Sequence, residues 1–274
     1  MKKKILAFPY LIWLFVFVLI PLMLIIYFSF ATQTPNGTVF SFESYLRFFD
    51  DIYMKVMLRS INVALVTTII CLALAYPLAM ILSSNQKSSR TVIVLLIILP
   101  MWMNSLLRTY AWMTLLENNG IFNNLLNLVG LPKVNFLYGN GAIIFGMVYN
   151  FLPFMVLPIY NVLCKIDRSL IEASHDLGGN KFVTFRRVIL PLSMPGVVTG
   201  IIMVFMPALT TFVITRLLGG GQVTLIGNII EEQFTRTRDW AFGAAVSMIL
   251  MIIILTAISF MSKDDSFDKG GGLF

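Results

Sequence analysis

Six apolar runs, each close to the length that crosses a bilayer, leave this chain few ways to fold. Hydrocarbon offers no water to backbone amides, so a spanning segment must be a helix or part of a closed barrel. A run of about 20 apolar residues fits the helical solution. The runs cover residues 8–30, 61–82, 91–116, 142–164, 188–209 and 242–261. The fifth is followed by mostly uncharged residues to 218, so it is free to extend by a turn or more. With 58% hydrophobic residues against about 45–50% in soluble domains, the expected class is an all-α polytopic membrane protein of one domain with six transmembrane helices. Met1-Lys2-Lys3-Lys4 imitates a signal peptide, but the following apolar run is too long for one, so an uncleaved first span is expected.

Lysine and arginine set the orientation, because cytoplasmic loops carry the excess. With the N-terminus inside, the inner segments hold Lys2, Lys3, Lys4, Lys87, Arg90, Lys165, Arg168, Lys181, Arg186, Arg187, Lys263 and Lys269. The outer segments hold Arg47, Lys55, Arg59, Lys133, Arg216, Arg236 and Arg238. Twelve against seven favours both termini in the cytoplasm. The net charge of +7 has this simpler cause, and no nucleic-acid partner is inferred from it. Residues 263–274 read as a flexible cytoplasmic tail.

One inner segment differs from the others. Residues 167–196 read DRSLIEASHDLGGNKFVTFRRVILPLSMPG, the only long polar stretch among apolar ones. Asp167 is suited to cap a helix. Leu170, Ile171, Ala173, Ser174 and Leu177 fall on one helical face. Gly178 and Gly179 stop that helix, and a second begins at Asn180 and runs into the fifth span. The spacing Glu172-Ala173-Ser174, then Gly178, then Val188, Leu190 and Pro191 resembles the EAA loop of the permeases of binding-protein-dependent ABC importers. Ser174 stands where a second alanine is usual and Val188 where isoleucine is usual. The resemblance implies the type I (MetI-like) importer permease fold, with a core over about residues 57–262. It also implies that residues 165–187 are a cytoplasmic coupling loop. There Glu172, Ala173, Ser174, Gly178, Leu190 and Pro191 would contact an ATPase.

The third run carries the most unusual residues. Pro100 frees a backbone carbonyl. Arg108 puts a charge inside an apolar stretch, which marks either function or a side chain that snorkels outward past Leu116. Trp102, Tyr110 and Trp112, with Tyr149 in the fourth run, read either as an interfacial belt or as cation-binding faces. Glu117 follows at the outer mouth. Pro153, Pro158 and Pro207 mark further kinked spans.

The stretches 106–112, 150–158, 217–220 and 226–234 are similar to the polyamine (spermidine/putrescine) members of that permease family. This implies a bacterial plasma-membrane complex of a second, homologous permease subunit, a cytoplasmic ABC ATPase dimer and an extracytoplasmic polyamine-binding protein. Permeases for iron, thiamine or phosphonate have much the same composition, and a secondary transporter is the more distant alternative. The chain has no G-x-x-x-x-G-K-[ST] loop to bind ATP, no carboxylate relay within a span and no catalytic constellation. Cys71 and Cys164 lie in apolar runs and His175 stands alone, so neither a metal nor another cofactor is expected in this chain, nor enzymatic activity.

The charge bias has a direct test. Single cysteines at Asn36, Ser84, Asn140 and Asn180 should react with an impermeant thiol reagent from outside, inside, outside and inside respectively. External labelling at position 180 would overturn the orientation.

Overall fold

The computed structural model describes residues 2–34, 37–84 and 87–261. Helix α1 runs as Lys2–Leu14, a π turn at Phe15–Leu19 and Ile20–Phe30. A hairpin follows, β1 (Ala31–Thr34) against β2 (Gly37–Phe40), antiparallel with Ala31 opposite Phe40. The remaining helices are α2 (Glu43–Phe48), α3 (Asp51–Ser84), α4 (Lys87–Trp102), α5 (Ser105–Leu116), α6 (Ile121–Leu128), α7 (Asn140–Leu163) and α8 (Arg168–Asp176). Then come α9 (Lys181–Thr184, a π turn at Phe185–Ile189, Leu190–Thr210), α10 (Val213–Leu218), α11 (Ile226–Glu232) and α12 (Trp240–Met261). Among the described residues five helices are long and apolar enough to span a membrane, and a bent pair makes a sixth. The small hairpin adds a β element to an otherwise helical chain. Residues 35 and 36 between its strands, and the expected tail at 263–274, lie outside the described residues.

Three boundaries depart from the sequence expectation, each for a local reason. The second span begins ten residues earlier, at Asp51. Its charged residues Asp51, Lys55 and Arg59 recur every fourth position on one exposed face, so they do not interrupt the helix. The fifth span ends at Thr210, and α10 is a separate helix rather than an extension. The third span is not one helix at all: Val92–Trp102 and Ser105–Leu128 meet at 93°. Pro100 weakens the end of α4, and Asn104 then opens α5 by accepting a 2.8 Å hydrogen bond from the Leu106 N–H. Helix α7, by contrast, passes through Pro153 and Pro158 without a break.

The chain divides into two compact units. The first comprises Met1–Leu58 with Ile226–Ala257. Here Phe30 stacks on Phe40 at 5.1 Å, and the Tyr45 hydroxyl donates to Ser29 Oγ at 2.9 Å. Arg47 pairs with Asp239 at 2.8 Å and lies 4.3 Å over the Phe242 ring. Partial burial works against the Arg47 charge, but hydrogen bonds to Tyr53 and Asp239 outweigh it and hold the guanidinium pKa above its ordinary value.

The second unit comprises Arg59–Leu225 with Ile258–Phe274. Its core is the seam of α3, α7 and α9, where Cys71, Ala75, Ala79, Met155, Ile159 and Val204 are fully buried. Small residues let the backbones approach, as is usual where lipid gives no hydrophobic drive between helices. Gly196 shows the limit: a Cβ there would sit 2.8 Å from the Pro158 carbonyl oxygen. One polar pair ties the seam, Tyr76 Oη to Ser193 Oγ at 2.7 Å. Gly196→Val should therefore destabilise the purified protein by about 1–3 kcal/mol, read as a drop of several degrees in its unfolding midpoint. An unchanged midpoint would contradict the close seam.

Candidate functional site

The polar segment after α7 is built as two short arms around a glycine turn. Asp167 caps α8 by accepting from the Ser169 N–H at 3.0 Å, as its position in the sequence predicts. Gly178 has φ +79, a left-handed conformation that side chains resist, and its N–H donates to the His175 carbonyl at 2.9 Å. The Gly179 N–H donates to the Ser174 carbonyl at 2.8 Å. Asn180 then caps α9 by accepting from the Val183 N–H at 2.9 Å. His175 Nδ1 lies 2.9 Å from the Gly179 carbonyl, so the lone histidine closes the turn rather than standing free in it.

Six residues of this segment are the expected contacts, and they fall into two groups. Glu172, Ala173, Gly178 and Pro191 are exposed. Ser174 turns inward, its Oγ 2.9 Å from Thr184 Oγ1, and so braces one arm against the other; Leu190 is half-buried where α9 enters the span. Two residues outside that set are conspicuous. Leu177, 89% exposed, and Phe182, also exposed, stand on either side of the glycines. Leu177 was legible as part of a helical face, whereas Phe182 carried no signal beyond its hydropathy. Beneath α8 lies a cavity of about 690 Å³ lined by Met80, Ser83, Cys164, Arg168, Ile171 and Glu172.

The residues picked out in the third span separate in the same way. Trp102, 82% exposed, and Tyr110, about half exposed, present open ring faces. Trp112 packs within the chain, 4.7 Å from Phe145, 5.1 Å from Tyr149 and 6.3 Å from Phe122. Nothing in the local sequence links Phe122 and Phe145 to that cluster; the fold of α6 and α7 does so. Glu117 is exposed at the end of α5. Arg108 does not snorkel outward, because the bend at Asn104 replaces the straight helix that would have carried it to the interface. It is 9% exposed, with its guanidinium carbon 5.9 Å from the centre of the Tyr149 ring. Buried Asn123 holds the loop after α6, donating to the carbonyls of Val134 (3.0 Å) and Glu117 (3.2 Å) and accepting from the Val134 N–H (2.9 Å). A cavity of about 520 Å³ adjoins this cluster, lined by Leu116, Phe122, Asn135, Phe136 and Phe145. Among the described residues no three metal-ligating side chains come together.

Residues 75–264 match the family described as binding-protein-dependent transport system inner membrane component. The spermidine/putrescine transport system permease protein PotB of Salmonella typhimurium (strain LT2) is 41% identical over 247 residues, covering 88% of this chain and 86% of the relative. The protein of the same name from Haemophilus influenzae is 40% identical over 253 residues, covering 90% of this chain and 88% of the relative. Among solved structures, a bacterial ABC transporter involved in the import of the acidic polysaccharide alginate superposes with a TM-score of 0.81 over 95% of this chain and 93% of that one. At 16% identity that likeness concerns the fold alone.

The turn itself yields an expected outcome. A Cβ at Gly178 meets nothing within 4 Å, so Gly178→Leu should insert normally and strain only the backbone, by about 1–2 kcal/mol. Amide exchange at positions 178 and 179 should quicken about tenfold, since 1.4 kcal/mol is one decade. Exchange unchanged there would show that the left-handed turn is not what holds the arms.

Proposed function

This chain belongs to the binding-protein-dependent transport system inner membrane components, and from that membership we propose that it forms part of the translocation path for polyamines in an ATP-driven importer. The observation that carries the cargo is identity near 40% with spermidine/putrescine permeases along nearly the whole chain. It is a multi-pass membrane protein and a transport subunit. The remaining assignments are our reading. Both termini face the cytoplasm. A second, homologous permease completes the path. A dimeric cytoplasmic ATPase supplies the energy, and an extracytoplasmic binding protein delivers the polyamine.

Energy enters through residues 165–187. The exposed Glu172–Ala173 edge, Leu177 and the Gly178 turn form a knob that fits a groove in the ATPase. Movement of that knob is transmitted to the membrane because α9 is continuous from Lys181 to Thr210. Ser174 bonded to Thr184 makes the two arms move together.

A polyamine is a flexible polycation, and such a path should attract it weakly and release it. Trp102 and Tyr110 offer ring faces to ammonium groups, and Glu117 draws the cation to the outer mouth. Trp112 and Tyr149 form the wall behind them. Each cation–aromatic contact contributes about 0.5–2 kcal/mol, so a single loss weakens uptake without ending it. One feature favours a different small solute: an arginine is buried in the third span, whereas the carboxylates of the described spans, Asp51 and Glu117, are exposed at helix ends. Uptake normalised to membrane-inserted protein decides between them. Tyr110→Leu should lower spermidine uptake severalfold, and Glu117→Gln should lower it most at low salt, where screening is weakest. Unchanged normalised uptake in both variants would overturn the polyamine path.

A further inference from the structure

Among the described residues Arg108 is the buried charge that the proposed function does not use. Its Nε and Nη1 are sealed from solvent and have no hydrogen-bond acceptor among the described residues; a neighbour is the Tyr149 ring. Two further sealed side-chain atoms of the same unit lack a partner there, Asn150 Oδ1 and Thr215 Oγ1. The unit thus holds two unsatisfied donors and two unsatisfied acceptors. They lie on three helices that pack on one another: α5 carries Arg108, α7 carries Asn150 and α10 carries Thr215. Asn150 spends its Nδ2 on the Gly146 carbonyl at 2.8 Å, and Gly146 faces Ile214 and Leu218, which flank Thr215 on α10.

A buried polar group without a partner is costly, and a buried charge more so. The geometry points to Arg108 as a positioning residue of the transport cycle: its Nε and Nη1 are unpaired in this conformation. In the alternate one it donates to Asn150 Oδ1 and Thr215 Oγ1, which ties α5 to α7 and α10. The inference rests on the reading that the chain is an importer subunit with two states. The break at Asn104 and the separate α10 provide the short elements such a shift needs.

This arrangement has a signature that a merely structural residue lacks. Thr215→Val removes an unsatisfied hydroxyl from this conformation and a hydrogen bond from the other. The unfolding midpoint of the resting complex should stay level or rise, while the maximum rate of spermidine uptake falls about tenfold and KM moves less than about twofold. Arg108→Met should slow uptake similarly, and the double variant should be no slower than Arg108→Met alone. Unchanged rates, losses that multiply in the double variant, or a midpoint that falls along with the rate would each overturn the pairing. Failure of the cargo assignment is seen separately, as no spermidine uptake by the wild-type complex. The same variants are then compared by ATP hydrolysis of the assembled complex.

Discussion

Inside a bilayer every backbone amide must find its partner within the protein, and at three helix starts of this chain a side chain takes that role. Asn104 supplies an acceptor for Leu106, and there the third span turns through 93°. Asp167 and Asn180 do the same for the two arms of the polar segment. Helix α7 continues through Pro153 and Pro158, and past Asn161, so a proline alone does not turn a helix here.

That rule distributes rigidity and mobility. The seam of α3, α7 and α9 is built of alanine, glycine and close backbone contact, so it moves as a block. The pieces around it are short: α5, α6 and α10 hold twelve, eight and six residues. The aromatic cluster at Trp112 and the unpaired Arg108 both sit on those short pieces, against α7. At the other end of the unit, α9 joins the glycine turn to the seam without a break beyond its π turn.

Much of this was legible in the sequence because membrane burial imposes a strong pattern. Apolar run length located the spans, and the Glu172 to Pro191 spacing located the loop and its turn. What the sequence did not disclose depended on pairing in three dimensions. The bend at Asn104 needed both a weakened helix and a cap four residues later. Asp51, Lys55 and Arg59 looked like a loop until their common helical face was known. Arg108 read as a snorkelling or a path residue, and its burial beneath Tyr149 follows from the bend rather than from local composition. The inward turn of Ser174 depends on Thr184, ten residues away, and spacing alone could not reveal it.

The central claim is that the apolar knob beside Gly178 is where the energy of ATP enters. A photo-crosslinking residue placed at Leu177 in membranes expressing the whole complex tests it most directly. The account predicts a covalent adduct with the ATPase subunit. An intact complex that co-purifies with its ATPase yet gives no adduct from position 177 would contradict it.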